Sequence, residues 1–289
     1  MILSSGLVQP EGPTALADGR WLCVEGGDRG TVTLLSPDGG ERRVIAQTGR
    51  PNGLAIDRQG LIWVAESKRP ALLRVTLAGA VEVAATHCDG AAFLFPNDLC
   101  LGPDRAVYFT DSGVHIDSFA PGGRIRADFN SVNYDGRVFR FDPQSGRVQR
   151  LDAGLKFANG IAFGPDGDLY VSETLTGNIY RYASLGEGRF GARTCFGNVI
   201  DPAGPAGWRG PDGMAFAADG RLYVAVFGQQ DVTVLGVDGV VVRRLRTMGR
   251  LPTNCVFPHS GESRLYVTEY ELGQIEVHHT ETGGLPLFA

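Results

Sequence analysis

Apolar and polar residues alternate at every second position in short runs along the whole chain, and the runs come in pairs. Six segments share one plan: PEGPTALADGRWLCVE from Pro10, PNGLAIDRQGLIWVAE from Pro51, PNDLCLGPDRAVYFTD from Pro96, ANGIAFGPDGDLYVSE from Ala158, PDGMAFAADGRLYVAV from Pro211 and TNCVFPHSGESRLYVTE from Thr253. Each carries one polar residue near its start: Glu11, Asn52, Asn97, Asn159, Asp212 and Asn254. A few alternating residues follow, then a turn, usually of Asp-Gly type, then a second alternating run such as IWVAE or LYVSE. A period of two on both sides of a tight turn predicts a β-hairpin rather than a helix.

The six polar residues stand 41 to 62 positions apart, a spacing that suits about four short strands per unit, as in a propeller blade. The sixth unit is slightly short, and MILSSGLVQP at the N-terminus contains the missing strand. The expected fold is therefore all-β: one domain over residues 1–289, a six-bladed propeller with four antiparallel strands per blade. The N-terminal strand should pair with the last blade and close the ring. Blade one continues through TVTLLSP and RRVIAQ, and blade two through ALLRVTL and VEVAAT. Residues 113–133 are inserted into blade three and are expected over the channel, since structureless loops of that length are uncommon unless functional. Blade four carries a smaller excursion, Asp201 to Arg209, with Trp208 in it.

Composition agrees with many strands and tight turns: 41 glycines and 43% apolar residues in 289. A net charge of −5 and the lack of a basic run argue against nucleic acid as a partner. Cys23, Cys88, Cys100, Cys195 and Cys255 are odd in number and lack CxxC spacing, so neither a disulfide framework nor a zinc knuckle is expected. Without a signal-like N-terminus or an apolar stretch long enough to span a bilayer, the chain reads as soluble and cytoplasmic, with no membrane partner.

The hairpins place an acid fourteen residues after the polar residue in four cases: Glu25, Glu66, Asp111 and Glu173. The two ends should be cross-strand neighbours. Val226 interrupts the pattern after Asp212, and Glu269 follows Asn254 after fifteen. If the leading strand is innermost, all six leading residues ring one channel mouth. Asn-Gly and Asp-Gly are also common turn formers, so turn chemistry accounts for these residues as well. Glu11 fits a turn poorly. Two carboxylates with several amide oxygens form a hard, all-oxygen donor set suited to Ca²⁺ or a similar divalent cation.

The run from PEGP through FPNDLCLGPDRAVYFTD, FANGIAFGPDGDLYVSET, GPDGMAF and LPTNCVF to RLYVTE resembles the gluconolactonase, senescence-marker-protein (regucalcin) and luciferin-regenerating-enzyme family of six-bladed propellers. The resemblance covers nearly the whole chain. It implies one divalent metal in the channel, held by Glu11, Asn97, Asn159 and Asp212, with Asp212 as general base of a lactone or ester hydrolase. Contact with the cation would depress the pKa of Asp212. Ca²⁺ is the expected ion, and Zn²⁺, Mn²⁺ and Fe²⁺ also suit such sites. Asn52 and Asn254 are assigned to the surroundings of the metal or to the small-molecule substrate, with ordinary turn residues as the alternative. Glu25, Glu66 and Glu173 either orient ligands or are solvated or paired strand-end carboxylates.

Sugar-lactonase members similar to regucalcin carry an arginine two residues before the blade-three asparagine, and here that residue is Phe95. With Phe93, Leu94 and Phe119 it implies a less polar wall and a substrate less polar than a sugar lactone. His115, in the insertion, is expected near the channel. His278 and His279 alternate on one strand and cannot chelate together. Neither a Ser-His-Asp order nor a G-x-S-x-G elbow is present. Two other readings remain. FTDSG, GRVFRFDP and FANGIAF also resemble strictosidine-synthase-like condensing propellers, and the chain could be a non-catalytic calcium-binding propeller.

Overall fold

The computed structural model describes residues 1–27, 29–258 and 261–288. Six four-stranded antiparallel sheets follow one another along the chain, each a meander. The first runs through Pro10–Ala15, Trp21–Glu25, Thr31–Leu35 and Arg42–Gln47. The innermost strands, which start at Pro10, Pro51, Pro96, Ala158, Gly210 and Pro252, pack side by side, and the sixth returns to the first. This is a six-bladed propeller. Ile2–Ser5 completes the sixth blade beside Gln274–His279, with Ser4 opposite Ile275 and Ser5 opposite Gln274.

Burial follows the radius of the ring. Second strands such as Trp21–Glu25, Ile62–Glu66 and Val107–Asp111 are buried along their whole length, because a neighbouring blade covers each face. Outermost strands such as Arg42–Gln47 and Val81–Ala85 are largely exposed. The core therefore lies between blades: Leu22, Val24 and Val32 of blade one pack with Leu54, Val64 and Leu73 of blade two. Cys23, Cys88 and Cys255 are buried free thiols, and Cys100 and Cys195 are also unpaired. Among the described residues no helix is long and apolar enough to cross a membrane.

The pairs Asn52-Gly53, Asn159-Gly160 and Asp212-Gly213 that open three of the repeats are not turns. They lie inside the inner strands, where the next blade comes too close for a side chain: a Cβ on Gly160 would collide with the Asp212 carbonyl, and one on Gly213 with the Asn254 side chain. The pairing register also slips at this point in every blade, between Glu11 and Thr14, Pro51 and Leu54, Pro96 and Leu99, Ala158 and Ile161, Pro211 and Met214, and Pro252 and Asn254. A bulge re-aims the side chains beside it. It also corrects the expected cross-strand pairing by one residue. Beyond the slip Glu25 faces Pro10, Glu66 faces Pro51, Asp111 faces Pro96 and Glu173 faces Ala158, each one position before the polar residue.

The blade-three insertion holds a one-turn helix, Ile116–Phe119, and two 3₁₀ turns. It buries Val114, Ile116 and Phe119 against Phe95 and Phe157 at one mouth of the channel. At the other mouth the C-terminal segment crosses beneath the inner strands. Leu285 N donates to Phe216 O over 2.9 Å, and the Phe288 ring meets Phe163 edge-on with centroids 5.6 Å apart.

Candidate functional site

Glu11, Asn52, Asn97, Asn159 and Asp212 line one cavity of about 660 Å³, part of it open to solvent, under the insertion. Asn97 and Asn159 are held by a repeated device. Asn97 Nδ2 donates to Ser112 Oγ over 2.9 Å, and Ser112 Oγ donates to Ala158 O over 3.0 Å. Asn159 Nδ2 donates to Thr174 Oγ1 over 3.1 Å, and Thr174 Oγ1 donates to Pro211 O over 2.9 Å. Each hydroxyl thus links one blade's asparagine to the carbonyl just before the polar residue of the next. With the amide nitrogens engaged, the amide oxygens are the atoms left to accept. Asn159 Oδ1 is buried and has no hydrogen-bond partner in the protein.

The two carboxylates have hydrogen-bond donors but no cation beside them among the described residues. Burial, then the charge of Asp98, pushes Glu11 up to about 8. Burial, then the charges of Glu11 and Asp98, pushes Asp212 well above the usual carboxylate range, opposed by hydrogen bonding from the Asn159 amide and the Gly213 N–H. Neither forms an ion pair among the described residues. These residues also contain no group of three His, Cys, Asp or Glu placed to hold a metal ion, so the candidate donors are two carboxylates and two amide oxygens. A buried amide oxygen without a donor beside two like charges is unfavourable unless a cation joins them. The residues fit a hard divalent ion.

Asn254 sits deeper. Its Oδ1 accepts from Cys255 N over 2.8 Å, and its side chain faces both Glu11 and Asp98. It lines a second cavity of about 900 Å³ in the far half of the channel, with Asp98, inner-strand residues and the tail from Leu285 to Phe288. Burial raises Asp98 to about 7.

The first cavity has two unlike sides. On one, Phe157 meets Phe95, Phe119 and Trp208 with ring centroids 5.8, 4.9 and 5.0 Å apart. Phe157 holds φ at 70°, a strained value for a bulky residue. On the other side stand Arg50, Phe227, Thr253 and Tyr270. His115 lies outside the cavity: it caps the one-turn helix, its Nδ1 accepting from Asp117 N at 3.4 Å, with its side chain 42% exposed. His278 pairs instead with Glu276 at 3.0 Å.

The strand-end acids turn away from the cavity and tie down the loop before each inner strand. Both Glu66 oxygens accept from Arg50 N, at 2.8 and 3.0 Å, and Oε1 also accepts from Lys68 N at 2.8 Å. Asp111 accepts from Leu94 N, Phe95 N and Gly113 N at 2.7, 3.0 and 2.8 Å. Glu25 accepts from Val8 N and Glu173 from Lys156 N. They are held by backbone N–H groups, and of the four only Glu25 also forms an ion pair among the described residues, with Arg29 at 3.7 Å. Sequence reasoning missed Ser112 and Thr174, although a hydroxyl directly after the acid was a usable signal. It also missed Arg50, at the place in its repeat that Phe95 and Phe157 hold in theirs, and Tyr270, which follows the acid Glu269 as Ser112 follows Asp111.

The sequence model of the SMP-30/Gluconolactonase/LRE-like region matches residues 9–271. The gluconolactonase of Zymomonas mobilis is 28% identical over 281 residues, 91% of this chain and 76% of that one. The diisopropyl-fluorophosphatase of Loligo vulgaris is 26% identical over 264 residues, 86% of this chain and 79% of that one. Among solved structures, a gluconolactonase from Xanthomonas campestris superposes with a TM-score of 0.79 at 26% identity, covering 99% of this chain and 89% of that one. With a family match over most of its length, the chain belongs to the SMP-30/gluconolactonase/LRE-like family.

Proposed function

We propose that this chain is a divalent-cation-dependent hydrolase that opens a small-molecule lactone or related ester. Ca²⁺ is the cation its oxygen donors suit best, and Zn²⁺, Mn²⁺ and Fe²⁺ are the alternatives. The observation that carries the reading is the unpartnered Asn159 Oδ1 beside Glu11 and Asp212, at the floor of a pocket large enough for a small ester. Family membership, with relatives named as a lactonase and a fluorophosphatase, supports the hydrolase class. The five unpaired thiols suit a reducing compartment, and we assign the protein to the cytoplasm.

In this reading Glu11, Asn97, Asn159 and Asp212 hold the cation. Bound there, a dication supplies Lewis acidity toward the substrate carbonyl oxygen and the negative charge that develops on it. Asp212 is the general base: its carboxylate takes a proton from the attacking water, and the proton passes to the leaving alkoxide, giving a hydroxy acid. The Asn159 amide and the Gly213 N–H orient that carboxylate. Phe95, Phe119 and Phe157 present an apolar wall and exclude bulk water from one side. Asn52 faces the substrate, and Asn254 steadies Glu11 from below.

The test is hydrolysis of a lactone panel by metal-stripped protein, titrated with single divalent cations, alongside Asp212→Asn. Activity restored by a cation and lost in the variant is the expected result. Hydrolysis that survives chelation would sink the proposal, and cation binding without turnover of any lactone would leave a binding propeller.

A further inference from the structure

Arg50 is the only Lys, Arg or His among the described residues lining the pocket. Its backbone is fixed on both sides: the N–H donates to the Glu66 carboxylate, and the carbonyl accepts from Ser67 N and Oγ at 3.0 and 2.9 Å. The side chain is half-buried and stands against the Tyr270 hydroxyl. No carboxylate pairs with it among the described residues. The Tyr270 ring is itself packed edge-on against Phe227, with centroids 6.0 Å apart. A guanidinium and a phenol are therefore presented together across the pocket from Phe95, Phe119 and Trp208.

We infer that Arg50, with Tyr270 beside it, is an anchor for a carboxylate, so that the substrate is a lactone or ester carrying a free carboxylate at one end and an apolar body at the other. The inference rests on the proposed hydrolase reading for the word substrate, and on the pocket alone for the anchor. The charge balance favours it. A dication cancels the charges of Glu11 and Asp212, leaving the guanidinium as the one uncancelled charge in the lining. Arginine recognises planar carboxylates in bidentate fashion and holds them more firmly than neutral groups. One guanidinium and one phenol match a monoanion; a phosphate ordinarily gathers further cations, and among the described residues the lining holds no second one.

Two measurements separate the anchor from the chemistry. In the first, cyclopentanecarboxylate and cyclopentanecarboxamide, neither of them an ester, are titrated calorimetrically into the calcium-loaded protein and its Arg50→Met and Arg50→Lys variants. The carboxylate is expected to bind the unaltered protein roughly tenfold tighter or better. Arg50→Met should bring the two ligands to within about twofold, and Arg50→Lys should retain part of the preference. A preference that persists in Arg50→Met means that the carboxylate sits on the cation, and overturns the anchor. So does the lack of any preference in the unaltered protein. In the second, 5-oxotetrahydrofuran-2-carboxylate is compared with its carboxamide as a substrate. KM should favour the carboxylate by about 10- to 100-fold, and Arg50→Met should lose that ratio while still binding calcium. Equal hydrolysis of both lactones would overturn the anchor and leave the hydrolase standing. Binding preference without hydrolysis of any lactone would do the reverse.

Discussion

Asn159 Nδ2 donates to Thr174 Oγ1 over 3.1 Å, and the same hydroxyl donates to the carbonyl of Pro211, the residue before Asp212. One threonine therefore sets the direction of an amide oxygen in blade four and the backbone that carries a carboxylate in blade five. Replacing it with valine keeps the shape and removes both hydrogen bonds. Thr174→Val is expected to weaken calcium binding by about tenfold, the lower end of what an outer partner of a metal ligand contributes. Calorimetric titration checks it, and an unchanged affinity would show that the amide is positioned by packing alone.

Calcium affinity should rise steeply with pH. Without a cation Glu11 is raised to about 8, so below that pH a proton occupies the carboxylate and must leave when the ion binds. Asp212, raised well above the usual carboxylate range, holds a second proton, so affinity is expected to fall by more than tenfold, up to about a hundredfold, per unit as pH drops from 8 toward 6. A chelator-buffered titration across that range reads the slope, and a flat profile would contradict the burial of Glu11.

The loop that delivers Arg50 depends on Glu66, which is 1% exposed. Glu66→Ala would leave the N–H groups of half-buried Arg50 and exposed Lys68 without their acceptor. Each such loss destabilises by about 1 to 3 kcal/mol, and a combined loss of roughly 3 kcal/mol in denaturant unfolding is expected. A loss below about 1 kcal/mol would mean that water replaces the carboxylate.

Phe119 belongs to the inserted helix rather than to a blade, with Trp208 4.8 Å and Phe157 4.9 Å from it between ring centroids. Phe119→Ala is expected to raise KM for alkyl-substituted lactones by about tenfold, the scale of lost apolar contact in a pocket. The rise should be smaller for unsubstituted rings. Equal effects on both would assign Phe119 to holding the insertion in place.

The blades were legible because a period of two around a tight turn repeats six times, and closure by the N-terminal strand followed from a last unit lacking one strand. The role of the glycines was not. Gly160 and Gly213 looked like turn formers, yet the reason for them is the backbone of the next blade, which no local pattern reveals. The bulges were hidden for a related reason: a slip of register appears only when two strands are laid side by side. Glu11, Asn97, Asn159 and Asp212 could be read as one set because each occupies the same place in its repeat. Arg50 and Phe157 share with Phe95 the place two residues before the polar residue, and Tyr270 shares with Ser112 and Thr174 the place after the strand-end acid, but the residue type changes from blade to blade, so the repeat gives the place and not the chemistry. His115 looked close to the channel on its position in the insertion alone, and one turn of helix suffices to send it to the surface.

The segment from Leu285 to Phe288 lies across the far mouth of the channel, and its consequence concerns traffic. A ring open at both ends would let substrate enter from one face while product drained from the other. Here residues 285–288 line the far cavity while the proposed catalytic residues face the vestibule beneath the insertion, which makes that vestibule the expected way in and out. A product that lingers between Arg50 and the aromatic side would then bar the next molecule, which makes departure rather than bond cleavage the step that the walls of this vestibule control.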